Sequence, residues 1–351
     1  MILNVLKVFG LSSFAFFLAI FLTPLFTHYF YKYKMWKKGS RSLEDTSEEF
    51  KKIHNEHGEL NTPRIGGMII WVSTLLVCLL MFAIYKIFPD DLTQKLNFLS
   101  KNQTWLPLFV LVGSAIVGLA DDLLQIFQNK KGGKLFANGL SKSLRILVVL
   151  AIGAIVAMWF YYKLEMNFVD IPFFGELYLG WLFVPFFMMV MLGIFSGGII
   201  DGIDGLSGGI MSSIFAAYAG IAFFQNQIDI ATFCGVITGS LLAFLWFNIP
   251  PARFYMGETG MIGLTTALTV VAFLTNAVAV LPIIAFLLVA ASASAIIQIV
   301  SKKYFHKKVF RVAPIHHHFE AIGWPSYKVT MRFWIISVVL AVIGMVITLI
   351  G

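Results

Sequence analysis

The sequence predicts an all-α integral membrane protein of about ten transmembrane helices with both termini outside. Three observations lead there. Of the 351 residues, 59% are hydrophobic and 13% charged, against about 45–50% apolar and about 25% charged in a soluble chain. The apolar residues fall in long runs along the whole length. The basic residues fall in alternate connections between those runs.

A helix needs about 20 mostly apolar residues to cross about 30 Å of hydrocarbon. The first run, 9–26, follows Lys7 and continues into Thr27-His28-Tyr29-Phe30-Tyr31. No small-residue cleavage site follows it, so it reads as a first transmembrane helix rather than a removed signal peptide. The connection 32–61 mixes Lys and Glu and suggests a surface helix capped by Ser42 or Thr46. Further runs lie at 67–88, 105–120 and 146–162. In the following loop, 163–181, β-formers surround Pro172 and Gly175, which suits a short hairpin or, equally, irregular coil. Runs at 182–200, 209–224, 230–247, 261–276, 281–300 and 333–350 complete the ten. They tile residues 1–351 as a single polytopic domain. Cys78 and Cys234 lie inside runs and read as small hydrophobes, with no disulfide or zinc spacing.

Twenty-one of the 26 Lys and Arg residues sit in the odd-numbered loops. The positive-inside bias makes those loops cytoplasmic. The same bias explains the net charge of +8, so no nucleic-acid partner is implied.

The informative acids end these spans on that one side. Asp121 and Asp122 end the third run, Asp201 and Asp204 follow the fifth among glycines, and Glu258 lies in Tyr255-Met-Gly-Glu258-Thr-Gly260. Glu320 lies in the last inner loop. Charges beside hydrocarbon are costly and tend to be functional. Singly, an Asp pair at a span end is ordinarily a solvated helix terminus, and Asp201-Gly-Ile-Asp204-Gly is as well read as a turn. Gathered on one face, carboxylates repel unless a cation or protons intervene. Hard oxygen donors suit Mg²⁺, which commonly takes one or two carboxylates with substrate phosphates. His316, His317 and His318 form either a solvated tract or a zinc site, and zinc is disfavoured because neighbours in sequence rarely converge on one ion. Arg64, Lys142, Arg145, Arg253 and the histidines can neutralise phosphate oxygens, although many of the inner cations only anchor the chain. Together these residues favour a phosphate-handling site.

Five motifs then resemble the polyprenyl-phosphate phospho-sugar transferases: Thr62-Pro-Arg-Ile-Gly-Gly67, Gly118-Leu-Ala-Asp121-Asp122, Asp201-Gly-Ile-Asp204-Gly-Leu, the stretch Phe247–Gly260, and Ala313-Pro-Ile-His316-His-His-Phe319-Glu320 with Gly323-Trp324. The last is very similar to the bacterial phospho-N-acetylmuramoyl-pentapeptide transferase family. The resemblance runs in order from about residue 62 to 334. It implies transfer of phospho-MurNAc-pentapeptide from a UDP carrier to undecaprenyl phosphate, giving lipid I and UMP in the bacterial plasma membrane. The active-site cleft is expected at the cytoplasmic face, built from inner loops 27–66, 121–145, 201–208, 248–260 and 301–332. By position, Glu258 and Asp201 are the expected Mg²⁺ ligands and Asp121, Asp122 and Asp204 the catalytic acids. Thr62, Arg64, Lys142, Asn248, Tyr255, His316, His317 and His318 are expected to bind substrate, Tyr255 by stacking on uracil. A homodimer is implied by resemblance only.

The chain departs from the family pattern at four places. Glu258 stands where Asp is usual, Gly198 where Asn is usual, and Gln125 and Glu59 where Lys is usual. Those departures keep other readings in view. One is a relative using a UDP-N-acetylhexosamine for another surface polymer, and another is a catalytically weakened lipid-binding homologue. A transporter would instead carry its ionisable residues near mid-span.

Overall fold

The computed structural model describes residues 1–36, 62–99, 104–127 and 139–351. Among them, ten helices are long and apolar enough to cross a membrane. These are α1 (Ile2–Lys32), α2 (Met68–Ile87), α3 (Trp105–Ile126), α4 (Lys142–Lys163), α5 (Gly180–Ile200), α6 (Leu206–Phe224), α7 (Ile228–Asn248), α8 (Gly257–Leu274), α9 (Phe286–Phe305) and α10 (Ser326–Ile350). Each matches one expected run. The surface helix expected around Ser42 and Thr46 falls outside the described residues, as does Glu59.

Helix ends moved where polar groups, invisible to an apolar run, support them. Ser141 caps α4 by accepting from Leu144 N at 3.2 Å, so α4 begins before its first apolar residue. Helix α3 runs to Ile126, one turn past Asp121 and Asp122. Helix α8 begins at Gly257 because Asp122 satisfies its first N–H groups, as described below. A separate turn, Leu281–Ile284, precedes α9. Proline is tolerated in such a first turn, where its missing N–H has no partner anyway, and Pro282 stands there.

Burial orders the bundle. In α6, α7 and α8, 72%, 78% and 83% of the most apolar window is enclosed by protein, against 28% in α1, 28% in α4 and 22% in α10. The first three form the core and the latter present apolar side chains outward, as lipid contact requires. Helix α8 packs along α3, α7 lies against α6 and α1, and α10 lies against α6. Rings of Phe160, Phe183, Phe187 and Phe273 tie α4, α5 and α8 together, the Phe187 and Phe273 centroids lying 4.3 Å apart. Gly118 lets α3 approach the Glu258–Thr259 backbone so closely that a Cβ there would overlap it.

At the end of the bundle away from the acids, strands Phe168–Ile171 and Gly175–Tyr178 pair antiparallel, Val169 opposite Leu177. This is the hairpin the loop composition suggested. At the same end, Lys7 Nζ meets Asp229 Oδ1 at 2.7 Å and donates to Asn97 O at 3.2 Å. The pair joins α1 to the first turn of α7. Cys78 and Cys234 are buried free thiols, as expected.

Candidate active site

Alternating helices bring the C-termini of α1, α3, α5, α7 and α9 to one end of the bundle. The connections at that end carry every acid singled out from the sequence. The loop after α1 and the loop before α8 are clasped by backbone: Tyr255 N donates to Pro63 O at 2.8 Å, Gly66 N to Tyr255 O at 2.9 Å, and Gly67 N to Met256 O at 2.8 Å. The Thr62–Gly67 motif is therefore in part a backbone brace for the Tyr255–Gly260 stretch. Gly257 is left-handed at φ +70°, and a Cβ there would overlap Arg64 O and lie 2.7 Å from Asp122 Oδ2. Glycine's tolerance of that conformation allows the turn into α8.

Asp122 is buried, and both of its oxygens face the start of α8. Glu258 N donates to Oδ1 at 3.2 Å and Thr259 N to Oδ2 at 2.8 Å. The first N–H groups of a helix have no partner within it, and an acid there also meets the positive end of the helix dipole. Asp121, fully buried, accepts from Gln125 Nε2 at 3.0 Å and from Leu140 N, with Arg145 Nε 3.5 Å away. Arg145 reaches further, its Nη1 closing an ion pair with Glu258 Oε1 and its Nε donating to Leu140 O at 3.2 Å. One guanidinium thus stands between Asp121 and Glu258.

Asp201 completes the cluster. Ser207 Oγ donates to its Oδ1 at 2.7 Å and Gly257 N to its Oδ2 at 3.0 Å. Burial pushes its carboxyl above the usual carboxylate range, and neighbouring Asp204 adds to the rise, while Ser207, Gly257 N–H and the Arg64 charge work against it. Glu258 is within electrostatic reach of both Asp121 and Asp201. Asp204 Oδ2 accepts from Ala252 N at 3.0 Å, and its carbonyl accepts from Thr330 Oγ1 at 3.1 Å.

The expected substrate contacts divide. His316 and His317 are buried against the Asp201–Asp204 turn, their Nε2 atoms 2.8 and 2.7 Å from where a Cβ on Gly202 would sit. His318 Nδ1 accepts from Arg311 N at 3.2 Å, which turns that ring toward the 306–311 loop. Asn248 is buried, its amide accepting from Gly205 N at 3.1 Å and donating to Phe254 O at 2.8 Å. It braces two loops. Tyr255, Arg64 and Thr62 are half-buried beside the cluster, and Lys142 is exposed at the first position of α4. Gly198 lies 3.5 Å, at a built Cβ, from Met261, in apolar surroundings. Ser207, which donates to Asp201, was not singled out from the sequence, and Arg145, expected only as a phosphate contact, bridges two acids.

The donor set suits magnesium in kind, since every candidate donor is a carboxylate oxygen and Mg²⁺ commonly keeps only one or two protein carboxylates. Among the described residues no group of three or more His, Cys, Asp or Glu side chains is arranged to hold a metal ion.

Residues 104–276 match the family described as glycosyl transferase family 4. The chain is 31% identical over 329 residues to a phospho-N-acetylmuramoyl-pentapeptide-transferase of Latilactobacillus sakei, covering 93% of this chain and 95% of that one. It is 33% identical to the protein of the same name from Geobacillus sp., over 94% of each chain. With that of Dichelobacter nodosus it shares 35% identity over 81% of this chain and 79% of the relative.

Proposed function

Because the chain belongs to the phospho-N-acetylmuramoyl-pentapeptide-transferase family, we propose that it transfers phospho-MurNAc-pentapeptide from its UDP carrier to undecaprenyl phosphate, giving lipid I and UMP in peptidoglycan synthesis. One observation carries the reading to this chain. Carboxylates from three separate elements (Asp121 and Asp122 in the last turns of α3, Asp201 in the turn after α5, Glu258 in the first turn of α8) converge with Arg64 and Arg145 at one end of a ten-helix bundle. A lipid phosphate and a soluble nucleotide-sugar can meet only at a membrane face. Phosphoryl transfer asks a protein mainly for alignment and charge neutralisation.

In this reading a lipid phosphate oxygen attacks the sugar-linked phosphorus, and the bond from that phosphorus to the UMP oxygen breaks. Glu258 and Asp201 hold Mg²⁺, which supplies neutralising charge to the diphosphate. Asp121 and Asp204 are the acids nearest the reacting phosphates, and Asp122 acts by positioning Glu258. Arg64, Arg145, Lys142, His316 and His317 face phosphate oxygens, while His318 stays turned to the 306–311 loop. Tyr255 stacks on uracil, a contact worth about 1–3 kcal/mol, and Thr62 and Asn248 shape the nucleoside region. The five inner loops build the site at the cytoplasmic face of the plasma membrane, both termini lie outside, and the working unit is a homodimer.

The test is UMP release by the purified protein with undecaprenyl phosphate, offered UDP-MurNAc-pentapeptide and UDP-GlcNAc separately, with and without chelator. Release with the muramoyl substrate alone, abolished by EDTA and by Glu258→Gln and restored to the parent by Mg²⁺, is expected. Release with UDP-GlcNAc alone would assign the chain to a different surface polymer. Release from neither would refute the transferase reading.

A further inference from the structure

The acid in the last inner loop has no part in the carboxylate cluster. Glu320 lies in the short helix Ile315–Ala321, one turn after His317, so the two side chains share a face. His317 Nδ1 is 2.6 Å from Glu320 Oε2, and Ser326 Oγ donates to Oε1 at 2.6 Å. The side chains of His317 and Glu320 are 6% and 4% exposed. A carboxylate can only accept, so this contact favours a hydrogen on Nδ1. The opposite ring edge is turned to the backbone of the Asp201–Asp204 turn, at Gly202. The helix itself is pinned by Phe319 stacked on Trp324 at 4.7 Å, with Arg332 over the same indole at 4.2 Å.

We propose that Glu320 is a positioning residue of the transfer site, holding His317 as the Nδ1–H tautomer with Nε2 against the Asp201–Asp204 turn, so that the imidazole serves binding of the nucleotide-sugar. The proposal rests on the transferase reading above. Glu320 acts only through His317, and Ser326 holds its second oxygen. A lone structural carboxylate would not need a buried histidine set against the turn that carries Asp201 and Asp204.

Glu320→Gln keeps shape and one acceptor but lets the amide turn its NH₂ toward Nδ1, which releases the tautomer. Losing the carboxylate partner of a metal-ligating imidazole typically costs about 10–100-fold, and the same orientation is at stake here. We expect kcat/KM for the nucleotide-sugar to fall by that factor, with KM for undecaprenyl phosphate and the thermal half-life unchanged. Glu320→Asp should recover part of the loss. In a His317→Ala background Glu320→Gln should cost nothing more, because two residues acting as one unit are non-additive. ¹⁵N-histidine NMR of the full-length protein in micelles should show one ring as pure Nδ1–H that becomes a mixture in Glu320→Gln. Equal losses for both substrates together with a shortened half-life would overturn the proposal in favour of a packing role. A full additive loss beside His317→Ala, or an unchanged tautomer, would also overturn it. A parent protein that releases no UMP would refute the underlying reading instead, while the NMR arm would still decide the tautomer.

Discussion

Replacing Asp122 by alanine should loosen the start of α8 before it touches any chemistry. The change leaves Glu258 N and Thr259 N without their acceptor. Thr259 is fully buried, whereas Glu258 is half-buried and water can reach it in part. A buried donor left unsatisfied costs about 1–3 kcal/mol, and loss of an acid at a helix N-terminus adds about 0.3–1 kcal/mol. Relief of one buried carboxylate offsets part of this, which leaves a net of about 2–3 kcal/mol. At about 1.4 kcal/mol per factor of ten, local opening should become about 30–140-fold more populated. Unfolding of such a protein is commonly irreversible, so the inactivation half-life in detergent is the quantity to follow, beside UMP release. Asp122→Asn keeps an oxygen for Thr259 N and should lose roughly half as much stability. If Asp122→Asn keeps the parent half-life but loses turnover more than about 1,000-fold, the acid takes part in the reaction and the positioning argument fails.

Three other perturbations follow from the same geometry. Arg145→Ala should weaken the protein by about 1–2 kcal/mol, since both partners of its ion pair with Glu258 are partly exposed; a double-mutant cycle with Glu258→Gln that finds no coupling would sink it. Lys7→Met strands Asp229, whose side chain is 25% exposed, and should cost about 2–3 kcal/mol, with Lys7→Met/Asp229→Asn recovering most of it in the same half-life assay. Asp201→Asn should last longer at pH 8 than the parent while losing UMP release. The raised carboxyl favours the folded state fully below the usual carboxylate value, and that contribution is lost as pH rises through the raised one. An asparagine can accept from Gly257 N and donate to Ser207 Oγ without charge, so a half-life gap that fails to shrink on acidification would count against this account.

Hydrophobic runs and the sorting of 21 cations were enough to read the spans and gather the acids at one end, because both signals are set by the bilayer. What stayed hidden was which atoms each polar side chain would meet. Asn248 read as a substrate contact, yet its amide links Gly205 N and Phe254 O inside the protein. The Thr-Pro-Arg-Ile-Gly-Gly stretch read as a phosphate contact through Arg64, while its backbone clasps the loop before α8. Asp122 sits 136 residues from Glu258 N in sequence, and no local pattern announces a cap supplied from another helix. Long-range backbone bonding of this kind is a tertiary property.

That distinction bears on the acid pair. Asp121 and Asp122 are adjacent, so on a helix they point about 100° apart and cannot share one task easily. The fold uses the divergence. Asp122 turns to α8 and fixes the helix start that carries Glu258, while Asp121 turns to α4, where Leu140 N and Arg145 meet it. Arg145 then returns across the gap to Glu258. Three elements are thereby locked by two neighbouring carboxylates, and the carboxylate of Glu258 is held both through its own backbone and through its charge. The extra methylene of Glu258 relative to aspartate belongs to this circuit, since it lengthens the arm that meets the guanidinium.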